Sequence, residues 1–345
     1  MADTLIETFE TSFRNLSDMG RLPWFEAHDD RVAMKDASVG PILDMHTHLA
    51  LAYVLPMKLD LHRATPRTEH YLPSCCALDL DVYVNKNFRE RDLRALKRDL
   101  TLGSLTGGGM RATHTVPNLT REMEELRITR SAILPIDFPV LSDNATHALT
   151  ASREEEKLIG FGSVHPYAKD PEKRLDEQLA RGARAIKMHP AVQCVRPDDA
   201  RAMRLYRACG ARGLPILWHC GPVGIEPPLG RYLSRVRFYE KPIAENPKTT
   251  FILGHSGALE MELALDLARR YPNVWLETSS QSLSAVRRIV ERAPEDRIVY
   301  GSDWPFYHQA IALAKVLIAT EGKRDLRHKI LYANAARVLR LRDHP

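Results

Sequence analysis

The sequence lacks the features that mark membrane proteins, secreted proteins and nucleic-acid-binding proteins. No segment of its 345 residues approaches the roughly 20 consecutive apolar residues that a membrane-spanning helix needs. The amino-terminal residues include acidic side chains and no long apolar core, unlike a secretory signal or an Arg-rich transit peptide. The 49 basic and 44 acidic residues nearly balance, and the basic ones are spread along the chain. We therefore expect a cytoplasmic protein that acts on a small molecule and binds neither nucleic acid nor membrane.

Cysteine is scarce and has no framework spacing. The five cysteines are an odd number and include no CxxC pair, which argues for reduced thiols and against structural disulfides. No GxGxxG turn follows the first apolar run, which disfavours an open, doubly wound nucleotide-binding sheet. The sequence instead shows a regular alternation of short apolar runs and longer charged segments.

Eight short apolar runs recur along the chain, and the segments between them have helical signatures. One such segment, PEKRLDEQLARG, has proline near its start and glycine at its end, as helices commonly do. Eight strands separated by helices predict an α/β fold in which a parallel sheet closes into a (β/α)8 TIM barrel. The runs, which we number as the first to eighth barrel strands, are PILDMHTH, SAILPIDF, KLIGFGSVH, ARAIKMH, LPILWHC, TFILGHS, NVWLETS and RIVYGSDW.

Two segments fall outside this repeat. Residues 1–38 precede the barrel and are predicted to form an N-terminal arm that contains a helix, while the barrel itself spans 39–341. Within the barrel, a long insertion at about 49–118 follows the first strand and includes a helical stretch near Arg89 to Leu100. Because the insertion leaves the carboxyl end of that strand, we expect it to form a lid or part of a substrate pocket. Alternatively, the insertion could form an oligomer contact, which would make the protein a homodimer, or it could plug the barrel.

Polar side chains that can bind metal end five of the eight predicted strands. His46 and His48 lie two residues apart, so strand alternation places them on one face together with Asp44, which we expect to support the histidines. Neighbouring neutral imidazoles suit a divalent metal, and barrels of this type carry their active sites at the carboxyl ends of the strands. The residues that end these strands are His46 and His48, Lys187, His219, His255 and Asp303.

The order of these motifs resembles the amidohydrolase superfamily. DxHxH, then Lys, His, His and finally GSDWP follow the superfamily order. LPILWHCG, FILGHSG, RIVYGSDWP and ILYANAARVL look like its amidohydrolase-related (amidohydrolase 2) branch of small metal-dependent hydrolases and decarboxylases. The resemblance covers about residues 39–341 but not the insertion. It implies a distorted barrel that holds one or two divalent metal ions, usually Zn and sometimes Mn or Fe.

The resemblance also implies roles for the strand-end residues. His46, His48 and Asp303 would hold the first ion, and Asp303 would accept a proton from the activated water, whose pKa a metal lowers from about 16 toward about 7. In two-metal relatives the strand-four lysine, here Lys187, is carboxylated and bridges the ions. His219 and His255 then bind the second ion. In single-metal relatives His219 joins the first ion and His255 stays free for proton transfer. We favour the two-metal site, and the alternative for Lys187 is a contact to a substrate carboxylate.

The leading functional hypothesis is a metal-dependent hydrolase that attacks an amide, lactone or ester carbonyl of a small molecule by metal-activated water, with Asp303 and His255 as catalytic residues. The alternative is a non-oxidative decarboxylase of an aromatic or unsaturated acid, which needs one metal and a free acid. His165 and His189, each followed by proline, and Trp304, next to Asp303, are candidates for substrate binding. Each could instead hydrogen-bond a loop or pack as a structural residue.

Overall fold

The computed structural model describes residues 9–29, 31–53, 55–138 and 142–341. Within them, eight short parallel strands follow one another in the order that the apolar runs predict. Nearly all of their residues are buried, because such strands are covered on one face by helices and on the other by the barrel interior. The eight barrel strands are Ile42–Thr47, Ile128–Ile133, Leu158–Gly160, Ile186–Met188, Ile216–His219, Phe251–Gly254, Val274–Glu277 and Ile298–Val299.

Isolated bridges join two parallel sheets into a ring. The first three barrel strands pair in sequence order, and so do the last five. Gly162 pairs with Ile186 between the third and fourth strands, and Thr47 pairs with Trp304 between the first and eighth. The predicted (β/α)8 barrel is therefore confirmed.

Helices connect the strands and cover the outside of the ring. The segment PEKRLDEQLARG forms the helix Pro171–Ala180, and Gly182 follows it with a φ of 98°. None of the helices in the described ranges combines the length and apolar character needed to span a bilayer. The remaining α-helices are Glu90–Thr101, Val116–Glu125, Asn144–Glu154, Pro190–Gln193, Ala200–Ala211, Pro228–Leu233, Glu240–Glu245, Met261–Arg270, Leu283–Arg292, Gln309–Ala319, Arg324–His328 and Asn334–Val338. Shorter 3-10 turns are Ser17–Arg21, Val84–Asn87, Gly103–Leu105, Met110–Thr113, Val236–Phe238, His255–Glu260 and Glu295–Arg297, and Lys329–Ala333 is one π turn.

Inward-pointing residues of all eight strands fill the barrel interior. Ala185 and Leu217 belong to this layer, and each precedes by two residues a polar residue of the site, Lys187 or His219. Because side chains two apart on a strand share a face, the polar residues form the next layer toward the carboxyl ends. The interior cluster comprises Leu43, Met45, Ala132, Leu134, Ile159, Phe161, Ala185, Leu217, Ile252, Trp275, Val299, Ala335 and Leu339.

In the described residues 9–29 and 31–38 the N-terminal arm contains one short 3-10 turn and no α-helix. After the 3-10 turn Ser17–Arg21, the chain forms an antiparallel hairpin of Phe25–His28 and Arg31–Met34. The residue before a proline disfavours helical backbone angles, and Leu22, which precedes Pro23, is extended with φ −70° and ψ 146°. The 3-10 turn therefore ends at Leu22, and the two strands that follow bury Phe25, Val32 and Met34.

The insertion folds into an ordered layer over the barrel. Its predicted helix is confirmed as Glu90–Thr101. Upstream of this helix, Leu78–Asp79 pairs antiparallel with Ser12–Phe13 of the N-terminal arm. The Leu283 backbone N–H also donates to the carbonyl of Leu80 at 2.8 Å. These contacts attach the insertion both to the arm and to the barrel.

All five cysteines are free thiols, as their odd number and spacing predict.

Candidate metal centre

His46 and His48 lie at the end of the first barrel strand, where the regular alternation is broken. The pairing register with the second strand shifts between Asp44 and Thr47. Met45 packs in the interior cluster, although strict alternation predicts that it points away from the histidines. The prediction that Asp44, His46 and His48 share one face is therefore wrong, and the irregularity is what allows His46 to face inward directly after Met45.

Asp44 supports the centre from outside it. Its fully buried carboxylate accepts hydrogen bonds from the backbone N–H of His46 at 3.0 Å and of Ser302 at 2.9 Å, and from Nε2 of Gln309 at 2.7 Å. Burial raises the pKa of Asp44 to about 6, and these hydrogen bonds limit the rise. The carboxylate thus ties the first strand to the segment that carries Asp303.

Asp303 completes a three-residue group with the two histidines. Its Oδ1 lies 3.7 Å from Nε2 of His46 and 3.5 Å from Nε2 of His48. Metal bonds of about 2.0–2.2 Å in tetrahedral geometry place ligand atoms about 3.4 Å apart, close to these distances. The ligand atoms of all three buried residues lie within 4.8 Å of one another. The group therefore fits a divalent metal ion.

The second nitrogen of each histidine has a partner that fixes the ring. Nδ1 of His48 lies 2.7 Å from the carbonyl oxygen of Leu134, to which it donates. Nδ1 of His46 lies 2.7 Å from Oε2 of Glu277. A partner on Nδ1 selects the tautomer in which Nε2 carries the lone pair, as metal-binding histidines require.

Glu277 is a site residue that the sequence reasoning missed. It is fully buried at the end of the seventh strand, and its oxygens accept from the His255 backbone N–H at 3.0 Å, from Oγ of Ser279 at 2.8 Å and from the Ser279 N–H. Burial raises its pKa to about 7. It also forms a candidate ligand group with His46 and His255, but its oxygens are already engaged by these donors, so we assign it to orienting His46. The sequence did offer one signal for Glu277, which is the single carboxylate at the end of the run VWLE, two residues after the inward-facing Trp275.

His255 and His219 lie beside the three-residue group. Nδ1 of His255 is 2.8 Å from Oγ of Ser279, and its Nε2 is 3.2 Å from Nδ1 of His219. The ring of His219 stacks on that of His189 with centroids 3.9 Å apart and planes 8° from parallel. Burial lowers the pKa of all three histidines well below its usual value, so the rings are neutral at neutral pH.

Lys187 is fully buried among these rings. Its Nζ lies 3.1 Å from Nε2 of His46. Burial lowers the pKa of Lys187 to about 8, and the charges of Asp303 and Glu277 partly oppose this shift. Nε2 of His46 has a single lone pair, which can accept a hydrogen bond from Lys187 or bind a metal ion, but not both. Metal binding by His46 therefore requires that the hydrogen bond from Lys187 be broken. Carboxylation of Lys187 stays a prediction.

A cavity of about 690 Å³ opens in front of the centre. The insertion supplies part of its wall, which agrees with the predicted pocket role of that segment. Tyrosine, phenylalanine and aliphatic side chains make up most of the remaining wall. The barrel contributes His48, Lys187, His189, His219, His255 and Asp303, and the insertion contributes Tyr53, Tyr83, Asn85, Leu96, Lys97 and Leu100.

Two of the three predicted substrate-binding residues do not line this cavity. Nε2 of His165 donates to the carbonyl of Gln193 at 2.9 Å, and its Nδ1 accepts from the Tyr167 N–H at 3.1 Å, so both nitrogens are engaged by the backbone. Trp304 is fully buried, and its indole N–H donates to Glu122 of the outer helix Val116–Glu125 at 3.1 Å. Asp303 has a left-handed φ of 67°, which turns the chain so that adjacent side chains diverge. Of the three, His189 alone is placed in the cavity wall.

Comparisons with known proteins are consistent with this architecture. An uncharacterized TIM-barrel protein from Bordetella bronchiseptica has 17% identity and a TM-score of 0.64, covering 87% of this chain and 99% of its own. A 5-carboxyvanillate decarboxylase from Novosphingobium aromaticivorans, complexed with manganese and 4-hydroxy-3-methoxy-5-nitrobenzoic acid, has 15% identity and a TM-score of 0.59, covering 91% and 100%. A probable 2-pyrone-4,6-dicarboxylic acid hydrolase from Acinetobacter baumannii has 12% identity and a TM-score of 0.55, covering 88% and 100%.

At sequence identities of 12–17%, the structural similarity to these proteins establishes the fold of this chain. A search of the curated proteins gives no significant match. A family model described as Amidohydrolase matches residues 43–341, which is most of the chain and includes every residue of the metal centre. The protein therefore belongs to this amidohydrolase family of enzymes.

Proposed function

We propose that the protein is a metal-dependent hydrolase that attacks an amide, lactone or ester carbonyl of a small molecule with activated water. The position of Asp303 carries this proposal. Its carboxylate faces Nε2 of both His46 and His48 and also lines the cavity, so one group can hold an ion and exchange a proton with a bound molecule. His255 lines the same cavity as a second group for proton transfer.

The residues present fit a divalent ion, for which we propose zinc because two imidazole nitrogens and one carboxylate oxygen are typical zinc ligands. When bound, such an ion polarises a carbonyl oxygen and lowers the pKa of water. Asp303 then accepts the proton of the attacking water and delivers it to the leaving group. Nδ1 of His255 donates to Ser279, whose hydroxyl in turn donates to Glu277, so the neutral His255 ring presents the Nε2 lone pair as a second proton acceptor. Glu277 holds His46 in place throughout.

We propose a single ion held by His46, His48 and Asp303, with His219 as the fourth ligand. The spacing of the ligand atoms of His46, His48 and Asp303 supports one ion. The two-metal arrangement predicts instead a metal-to-protein ratio near two and a Lys187 heavier by the mass of carbon dioxide. Elemental analysis together with native mass spectrometry separates the two arrangements.

The experiment that tests hydrolysis is a screen of lactones, aryl esters and N-acyl amino acids with the metal-loaded enzyme. The Asp303→Asn variant should lose at least about a thousandfold in kcat/KM, because an amide cannot accept the proton of the attacking water. It should keep most of its metal, since the three imidazoles of His46, His48 and His219 remain. Asp296→Asn, at an exposed ion pair with Arg337, is the matched control. Near-wild-type turnover by the Asp303→Asn variant would overturn the mechanism.

Decarboxylation of an aromatic acid is the second candidate, and the cavity wall favours it. Tyr53, Tyr83, Phe306 and Tyr307 line the cavity and suit a flat, apolar ring. Structural neighbours include hydrolases and decarboxylases alike, such as the 2-pyrone-4,6-dicarboxylic acid hydrolase and the 5-carboxyvanillate decarboxylase. Reaction in heavy-oxygen water labels a hydrolysis product at its carboxylate. Reaction in D2O with release of carbon dioxide labels a decarboxylation product at carbon.

A further inference from the structure

The segment that follows the sixth barrel strand has a strained backbone. Three of its non-glycine residues have positive φ angles, which are 55° at His255, 45° at Ser256 and 49° at Ala258. L-amino acids rarely adopt such angles, because the β-carbon then crowds a neighbouring carbonyl, and the angles persist only where surrounding contacts hold them. His255 is the first residue of this strained segment, so the direction of its side chain depends on those contacts.

The side-chain amide of Gln281 joins the two ends of the strained segment. Gln281 lies in the loop after the seventh barrel strand and is 3% exposed. Its Nε2 donates to the carbonyl of His255 at 2.6 Å and to the carbonyl of Ala258 at 2.9 Å. Carbonyl oxygens only accept hydrogen bonds, so the amide must present its NH2 group to both of them. One side chain therefore holds the backbone at the first and the last left-handed residue of the segment.

A buried lysine holds Gln281 from the other side. Lys315 is the only charged residue of the helix Gln309–Ala319, and it is 2% exposed. Its Nζ donates to the backbone carbonyl of Gln281 at 2.6 Å. Burial of an amino group is unfavourable unless the group is hydrogen-bonded, and the Gln281 carbonyl supplies such a bond. The contact fixes the Gln281 backbone relative to the outer helix.

The loop that carries Gln281 also contacts the ring of His255. Nδ1 of His255 lies 2.8 Å from Oγ of Ser279, to which it donates. Gln281 thus fixes the backbone of His255 while Ser279 orients its ring, which lines the cavity that contains Asp303. Without the amide of Gln281, the strained segment can relax toward ordinary φ angles, and the ring then leaves the position that Ser279 selects.

We propose that Gln281 is a positioning residue that holds His255 in its left-handed conformation, and that Lys315 fixes Gln281 in turn. Neither Gln281 nor Lys315 lies in the sequence motifs that carry the resemblance to the family. The inference rests on the proposed function only in assigning proton transfer to His255.

The Gln281→Met variant tests this positioning without relying on turnover. Methionine has a similar length but no donor, so both hydrogen bonds to the strained segment are lost. Long-range proton–nitrogen NMR spectra of the zinc-loaded protein, isotope-labelled at histidine, report the tautomer and environment of each ring, and the His255→Asn variant identifies the His255 signals. We expect the His255 signals of the Gln281→Met variant to shift or to split into several conformers. The signals of His165, whose partners lie in other loops, should stay in place.

Gln178→Met is the matched control. The Gln178 amide donates from Nε2 to the carbonyl of Ser163 at 2.8 Å, and Gln178 lies outside the set of residues that line the cavity. This variant loses a comparable hydrogen bond to a loop backbone and should leave the His255 signals unchanged. Lys315→Met removes the donor to the Gln281 carbonyl and should shift the His255 signals in the same direction but less. Thermal melting establishes that each variant is folded.

Kinetics separates positioning from general destabilisation. Misplacement of a reacting group by about 1 Å can cost about a hundredfold, so Gln281→Met should lower kcat by up to about that factor while KM changes by less than about threefold. In a His255→Asn background the same substitution should have almost no further effect on kcat, because the group that Gln281 positions is already absent.

The outcomes separate this inference from the proposed function. His255 signals that Gln281→Met alters and Gln178→Met does not alter support the inference, even if no ester or amide is hydrolysed, which would count against the hydrolase alone. Wild-type His255 signals in Gln281→Met or, if that variant does not fold, in Lys315→Met would overturn the inference, whatever the enzyme hydrolyses. An equal change in Gln178→Met, or a full additional loss of kcat in the His255→Asn background, would overturn it as well.

Discussion

Replacing Glu277 with glutamine tests whether this buried carboxylate holds the metal centre in its binding geometry. Oε2 lies 2.7 Å from Nδ1 of His46, and the carboxylate also accepts from the His255 N–H at 3.0 Å and from Oγ of Ser279 at 2.8 Å. A glutamine has nearly the same shape but only one acceptor oxygen. Its NH2 group must therefore face at least one of these donors.

The expected magnitude follows from those contacts. A hydrogen bond to a charged group contributes roughly 1.5–3 kcal/mol. Loss of a carboxylate that orients a metal-binding histidine typically lowers metal affinity about 10–100-fold, equivalent to about 1.4–2.8 kcal/mol. We expect the Glu277→Gln variant to bind zinc more weakly by this factor. The hydrogen bond from His48 to Leu134 should be unaffected, because Glu277 takes no part in it.

The assay is competition for zinc with a chromophoric chelator at neutral pH. Glu295→Gln, which removes an exposed ion pair with Lys329, is the control. Ser279→Ala is a milder second variant, because it removes one donor to Glu277 while leaving the carboxylate in place, and it keeps the test valid if the Glu277→Gln variant does not fold. Zinc affinities of both variants within about twofold of wild type would refute the assignment of Glu277 as the orienting group.

Two further predictions concern stability and assembly. Burial lowers the pKa of His114 from 6.5 to about 3, so its contribution to stability is present above pH 6.5 and lost as the pH falls toward 3. In urea unfolding, His114 should contribute up to about 1.4 kcal/mol per pH unit to the change in the free energy of unfolding between pH 6.5 and pH 3. The His114→Gln variant can still donate to the carbonyl of Glu69, and its free energy of unfolding should depend less steeply on pH. The same pH dependence in the variant and the wild type would contradict the reasoning. Leu102 and Leu105 on the insertion are 63% and 41% exposed, and replacing both with serine should convert the predicted homodimer to a monomer in light scattering. A monomeric wild-type protein would refute the homodimer.

The structure brings together the polar residues that end strongly apolar strands, as their positions in the sequence predict. His219 and Lys187 each follow an apolar residue of the barrel interior by two positions, so strand alternation alone places them in the polar layer. Asp303 was predicted in the same way from the eighth run. Each of these inferences needs only local periodicity and the rule that parallel strands end together at one face of a barrel.

The failures arise where backbone geometry departs from that periodicity. A register shift after Asp44 changes which first-strand residues share a face, and the left-handed φ at Asp303 sends Trp304 to the outer helices. His165 ends a strand as predicted, but loop backbone groups occupy both of its nitrogens. Bulges, turns and loop contacts depend on neighbours that are remote in sequence, so no local pattern shows them.

The sequence by itself determined the barrel, its strand order and the choice of His46, His48 and Asp303 as candidate metal ligands, because apolar periodicity and the residues that end each run are local properties. Only the tertiary structure decided how these groups are held and what faces them. Glu277 reaches His46 across the barrel, and Asn85 of the insertion meets Val223 in the loop after the fifth strand because the insertion folds back over the barrel mouth. Such pairings join residues far apart in the chain, and packing of the whole domain is what brings them together.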